Sequence, residues 1–141
     1  MKKSNHKVAL TINVSPEAAW QVIGSGEGVD QWLAPITACR VEGDKRYCNT
    51  ADGEFSEDIL KIDNANRAFH YAIPKQHMIP VGYITGKMQV SDASEGKAAI
   101  EWSWEFDVEE NKEAEAKEIL TAVGTMGIQG IETLINQSVE I

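Results

Sequence analysis

Residues 100–108 alternate apolar and polar without a break, and from about residue 111 the apolar spacing becomes that of a helix and stays so almost to the end. This switch of period constrains the fold more than any other feature of the chain. Ile100, Trp102, Trp104, Phe106 and Val108 point to one side of a strand, and Glu101, Ser103, Glu105 and Asp107 point to the other. In the helix that follows, residues 112–118 are mostly charged, whereas Leu120, Val123, Gly124, Gly127, Ile131 and Leu134 share one face. No strand comes after it. The helix is therefore the one element long enough to cover the apolar face of the preceding sheet.

That sheet is legible upstream. Residues 7–14 place Val8, Leu10, Ile12 and Val14 on one face. Ser15 then caps a short helix, with Pro16 at its first position, Glu17 in its first turn and an apolar side of Ala19, Trp20, Val22 and Ile23. Gly24, Gly26 and Gly28 stop it, and residues 29–33 form a second short helix ended by Pro35. Strands are expected over 36–42, 45–50, 54–62, 67–73, 81–90 and 97–108, with turns at Gly43-Asp44, Asp52-Gly53, 63–66 and 91–96 and a loop at 74–80. The expected class is α+β. A curved antiparallel sheet of about seven strands carries two short helices after strand 1 and a long C-terminal helix across its concave face, in one domain over residues 1–141.

Composition excludes some functions. The net charge is −9 and the thirteen basic residues are scattered, which disfavours nucleic acid. The apolar runs are too short for a membrane span, and no apolar segment follows the basic start as in a signal peptide, so a cytoplasmic protein is expected. No cofactor motif or metal-ligand spacing is present, and a homodimer is left open. Counting outward from the Gly43-Asp44 turn sets Cys39 opposite Cys48 in a pair whose side chains approach closely. A disulfide is sterically allowed there; in a reducing cytoplasm two packed thiols are expected.

Two features bear on whether the space between sheet and helix is filled. Gly124, Gly127 and Gly130 lie inside the helix at intervals of three, at a cost of about 1 kcal/mol each relative to alanine. Either the helix backbone lies unusually close to the sheet, or room is left for a guest. The inward face of the sheet also carries Phe69, Tyr71, Trp102, Trp104 and Phe106. Several polar-tipped aromatics on one face suit a cavity as well as they suit a core.

Taken together, Val14-Ser15-Pro16-Glu17-Ala18-Ala19-Trp20, Trp32, Pro35-Ile36, Glu57 with 59–63 and Tyr71, and the closing Gly130-Ile131-Glu132-Thr133-Leu134 resemble the helix-grip superfamily. This superfamily includes START lipid-transfer domains, birch-pollen-allergen proteins, polyketide cyclases and the plant abscisic-acid receptors, and the chain looks most similar to bacterial relatives of those receptors. The resemblance implies a ligand cavity between sheet and helix, entered between the loop before Glu54, the 74–80 loop and the helix. It matches Glu57 to a cavity glutamate and Tyr83 to a tyrosine that lines the ligand site. Thr37 stands where the receptors have the lysine that pairs with the hormone's carboxylate, residues 49–53 are too short for their gate loop, and Trp102 and Gly130 replace a polar glutamate and asparagine. The implied pocket is thus more apolar and does not require an acidic ligand.

The expected function is binding or transport of a small hydrophobic ligand, lipid- or polyketide-like. The ligand residues are Glu57, Ile59, Phe69, Tyr71, Tyr83, Met88, Trp102, Trp104, Val123, Gly127 and Ile131, with His77 on a lid. The parity of strand 54–62 is ambiguous: Phe55 and Ile59 mark one face, Leu60 and Ile62 the other, and a bulge would reconcile them. An inward Glu57 could serve as polar anchor or, in an alternative cyclase or dehydratase reading, as acid/base. A third alternative is a chaperone-stimulating interaction module, against which the polar outer face speaks. His70 should face solvent, and His6 carries no signal.

Overall fold

A computed structural model describes residues 1–139. Its strands are β1 (Lys2–Ile12), β2 (Ala38–Glu42), β3 (Lys45–Thr50), β4 (Gly53–Asp63), β5 (Ala68–Ile73), β6 (Ile84–Asp92) and β7 (Ala98–Val108). Its helices are α1 (Pro16–Gly24) and α2 (Glu113–Val139), with short 3-10 turns at Val29–Gln31, Ser94–Gly96 and Glu110–Lys112. The strands form one seven-stranded antiparallel sheet in the order β1-β7-β6-β5-β4-β3-β2. This is the expected α+β helix-grip arrangement, with the second short helix reduced to the 3-10 turn at Val29–Gln31.

Local signals explain the boundaries. The Ser15 hydroxyl accepts from the Ala18 N–H at 3.1 Å and starts α1, and Pro16 occupies the first position, where no N–H is missed. Strand β6 begins at Ile84, three residues later than the alternation suggests, because Val81 and Gly82 are held by loop-type bonds to Ile79 and Asp107. The parity conflict in β4 resolves as a bulge: the register shifts between Ile59 and Lys61, Leu60 is extruded to solvent, and Ile62, now opposite Phe69, stays exposed near the strand end.

Helix α2 runs along β1 and β7 rather than over the middle of the sheet. Its start is tied to β1 by Lys2–Glu113 at 2.8 Å and by the Ser4 hydroxyl donating to Glu113. Further on, Thr121 meets His6 at 2.7 Å, and the Glu132 carboxylate accepts the Asn13 N–H at 2.6 Å. The β2–β5 side of the sheet is left to α1 and to the segment 29–36, from which Val29, Trp32, Leu33 and Ile36 are buried.

The expectation of two thiols is corrected. Cys39 and Cys48 are opposite one another as counted, and they form a disulfide. The register decides it: two cysteines face to face on neighbouring strands already have the approach a disulfide needs. Compartment reasoning carried no information on that geometry.

Candidate functional site

Between the first half of α2, the 29–36 segment and strands β3–β7 lies a cavity of about 340 Å³. Its walls are mostly apolar: Trp32, Leu33 and Ile36 from the segment, Phe55, Ile73, Ile84, Met88, Trp102 and Trp104 from the sheet, and Ile119, Leu120 and Val123 from the helix. A volume of that size equals about eleven waters at liquid density, and it falls in the range of small-molecule pockets. A surface groove lined by Lys75, Gln76 and His77 shares Thr50, Asp52, Phe55 and Met78 with the cavity. The hollow thus reaches the surface between the β3–β4 turn and the 74–80 loop.

One wall is polar. Arg46 and Glu57 face each other directly across β3 and β4, and the Arg46 Nε donates to Glu57 Oε1. Both are almost fully buried, at 7% and 5% exposure. A second guanidinium N–H goes to the Gly26 carbonyl at 3.1 Å, and the cation lies 5.0 Å from the Phe69 ring centroid and 5.5 Å from that of Tyr71. The charges cancel, so the wall is polar without being ionic in net terms. The Cys48 sulfur sits 3.9 Å from Glu57 Oε1 and, being in the disulfide, has no proton to give. Beside this pair the Tyr71 hydroxyl accepts the Trp102 indole N–H at 2.9 Å. Burial pushes the Tyr71 pKa well up, the Glu57 charge adds to that, and the hydrogen bonds from the indoles of Trp102 and Trp104 oppose it.

Of the residues singled out from the sequence, Glu57, Tyr71, Met88, Trp102, Trp104 and Val123 come together on the cavity wall. Ile59 shares their face of the sheet and packs against the core without lining the hollow. Phe69 lies under the guanidinium as core, and Ile131 is wholly enclosed. His77 stands at the rim groove. Two placements are corrections. Tyr83 is 45% exposed and lines a shallow groove on the outer surface with Thr85 and Glu105. Ile84 and Gly86 point inward, so strand alternation turns residue 83 outward. Gly127 leaves no room for a guest: a Cβ there would stand 2.7 Å from the Trp102 ring and 3.1 Å from that of Trp32. A Cβ on Gly124 would meet Trp104 and Val8 at 2.9 Å each, and one on Gly130 would overlap the Trp32 carbonyl oxygen. All three helical glycines serve close packing.

Sequence reasoning missed Arg46, although two hairpin counts contain it: Arg46 shares a face with Cys48, and β3–β4 pairing sets it against Glu57. Glu57 does point inward, and it does so as one half of an ion pair, since a buried carboxylate without a cation is far too costly.

The sequence matches the profile of the polyketide cyclase/dehydrase and lipid transport family over residues 5–135. The chain belongs to that family. Its fold is shared by an uncharacterised protein from Bacillus thuringiensis, at 22% identity over 94% of this chain and 98% of that one, with a TM-score of 0.84. The protein XoxI from Bacillus cereus is similar at 24% identity, 94% and 95% coverage and a TM-score of 0.84. A solution structure from Thermobifida fusca matches at 14% identity, 94% and 93% coverage and a TM-score of 0.81. No curated protein matches the sequence. Family membership supports hydrophobic ligand binding in general, and among the described residues no helix is long and apolar enough to cross a membrane.

Proposed function

We propose that this member of the family binds one small, neutral, largely apolar molecule in the cavity between the sheet and the first half of α2, as a carrier or store. The observation that carries the reading is the hollow itself: about 340 Å³, walled by tryptophan, isoleucine, leucine and methionine, with the buried Arg46–Glu57 pair on its wall already internally neutralised. An apolar guest replaces empty contact with dispersion contact and loses water-exposed surface, at about 25 cal/mol per Å². A free carboxylate would find no uncommitted cation on the wall, because Arg46 is shared between Glu57 and Gly26.

The test is a titration with the neutral fluorescent probe N-phenyl-1-naphthylamine. The expected result is saturable binding of one equivalent to the native protein, abolished in Val123→Trp, which places an indole in the hollow, without loss of thermal stability. Binding that is weak, unsaturable or unchanged in Val123→Trp would sink the proposal.

A further inference from the structure

Two donors on the cavity lining have hydrogen-bonding capacity left over: the Trp32 indole N–H, which has no partner among the described residues, and the Tyr71 hydroxyl, which lies beside the Arg46–Glu57 pair. Tyr71 lines the cavity and is 3% exposed. Its ring lies over Gly86 of the neighbouring strand, directly opposite in register, and a Cβ at Gly86 would overlap the Tyr71 ring and hydroxyl. Glycine in a central strand is unfavourable, so the seat for this tyrosine is built at a cost. The Trp102 indole N–H then donates to the hydroxyl at 2.9 Å and fixes the oxygen as an acceptor. That leaves the hydroxyl proton. Among the described residues no hydrogen bond takes it, and Glu57, the nearby carboxylate, spends Oε1 on Arg46. Burial and the Glu57 charge keep the phenol protonated throughout the ordinary pH range, so the hydroxyl remains a donor. A buried O–H donor without an acceptor calls for one from elsewhere.

We infer that Tyr71 is a specificity-determining donor for an uncharged acceptor on the guest, and that the ligand class is an apolar molecule bearing a carbonyl oxygen, such as an aromatic ketone or a quinone. This rests on the reading that the cavity holds an apolar guest and adds the chemical group the guest must present. A carbonyl suits the site in three ways. It accepts a hydrogen bond and needs no proton of its own. It brings no net charge to a wall where Arg46 and Glu57 already cancel. It also satisfies the hydroxyl without competing for the Trp102 N–H.

The experiment is a competition against N-phenyl-1-naphthylamine with two molecules of one shape, 2-acetonaphthone and 2-isopropylnaphthalene, the second replacing the carbonyl oxygen by a methyl group. In the native protein the ketone should bind about five- to tenfold more tightly, the usual worth of one net hydrogen bond. In Tyr71→Phe the ketone should fall to the affinity of the hydrocarbon, whose own binding stays as in the native protein. A second readout needs no variant. The carbonyl carbon-13 resonance of bound 2-acetonaphthone should move from its position in alkane toward its position in alcohol. Equal binding of the two molecules to the native protein, with an alkane-like resonance, would overturn the role of Tyr71 and leave the cavity reading standing. A ketone preference that survives intact in Tyr71→Phe would overturn it too. Failure of both molecules to displace the probe would overturn this inference together with the cavity reading beneath it.

Discussion

The two halves of α2 face the same sheet and meet it differently. From Gly124 onward the helix has no side chains where it matters: Gly124, Gly127 and Gly130 let Val8, Trp104, Trp102 and the Trp32 backbone come within contact of the helix backbone itself. In the first half Ile119, Leu120 and Val123 reach down and still do not fill the space above Met88, Trp102 and Trp104. A helix of fixed radius over a curved sheet cannot touch it everywhere. Removing side chains closes the gap at one end, and the gap that remains at the other is the site. The three glycines, worth about 3 kcal/mol of lost helix propensity, thus create the contrast between a solid end and a hollow end.

Four perturbations should break or sharpen that contrast. The largest effect belongs to the polar wall of the hollow end. Arg46→Leu strands the Glu57 carboxylate in an apolar wall and should cost about 3–5 kcal/mol in urea unfolding, whereas the double change Arg46→Leu/Glu57→Leu should recover most of it. The exposed pair Arg40–Glu54, at 3.0 Å between β2 and β4, is screened by solvent and should contribute far less by the same method. If Arg46→Leu proved equally mild, the wall would be solvated and the hollow open to bulk water.

At the solid end, Gly130→Ala should destabilise by about 2–3 kcal/mol, the upper part of the usual overpacking range. Its Cβ meets backbone, which cannot swing aside, while the Cβ of Gly124→Ala meets side-chain atoms and should cost less. Thermal unfolding of both variants reads the order, and a stabilised Gly130→Ala would mean the helix is not seated on Trp32. In the hollow end a larger side chain should be tolerated: Val123→Leu should change stability by less than about 1 kcal/mol in either direction and weaken probe binding several-fold. A cost like that of Gly130→Ala would erase the difference between the halves.

The smallest effect is electrostatic and lies at the start of α2. The ion pair with Lys2 and the hydrogen bond from Ser4 hold the Glu113 carboxyl down to about 2, well below the usual glutamate range. A depressed folded pKa contributes stability above the unfolded value and loses it as pH falls through the folded one. Native protein should therefore lose stability between about pH 4.5 and about pH 2 more steeply than Glu113→Gln does. Parallel acid-unfolding curves for the two would show that Glu113 does not pin the helix to β1.

Much of this was open to reading in the sequence because strand parity and turn chemistry are local. The alternation in β7, the capped α1, the Gly43-Asp44 turn and the Cys39–Cys48 register all follow from residues a few positions apart. The β4 bulge was announced by its own parity conflict at Leu60. The candidate site was less legible because it depends on distances between elements. Whether three helical glycines mean contact or vacancy is decided by where Trp32 and Trp102 sit, and no periodicity contains that. The resemblance places Tyr83 on the ligand site, whereas strand parity turns it outward, and its exposure follows the parity. Arg46 is legible in principle, since pairing two adjacent hairpins places it on Glu57 and a buried carboxylate needs a cation to neutralise it.

Everything about the hollow end depends on whether it takes a guest. Native mass spectrometry of freshly purified protein, set beside the same sample after denaturation and beside Val123→Trp, asks that question without presuming the ligand. The expected result is a reproducible mass excess on the native protein that vanishes on denaturation, is absent from Val123→Trp, and is replaced one for one by added 2-acetonaphthone. A bare protein mass that added ketone leaves unchanged would contradict it, and would mean that the first half of α2 closes on the sheet in solution as tightly as the second.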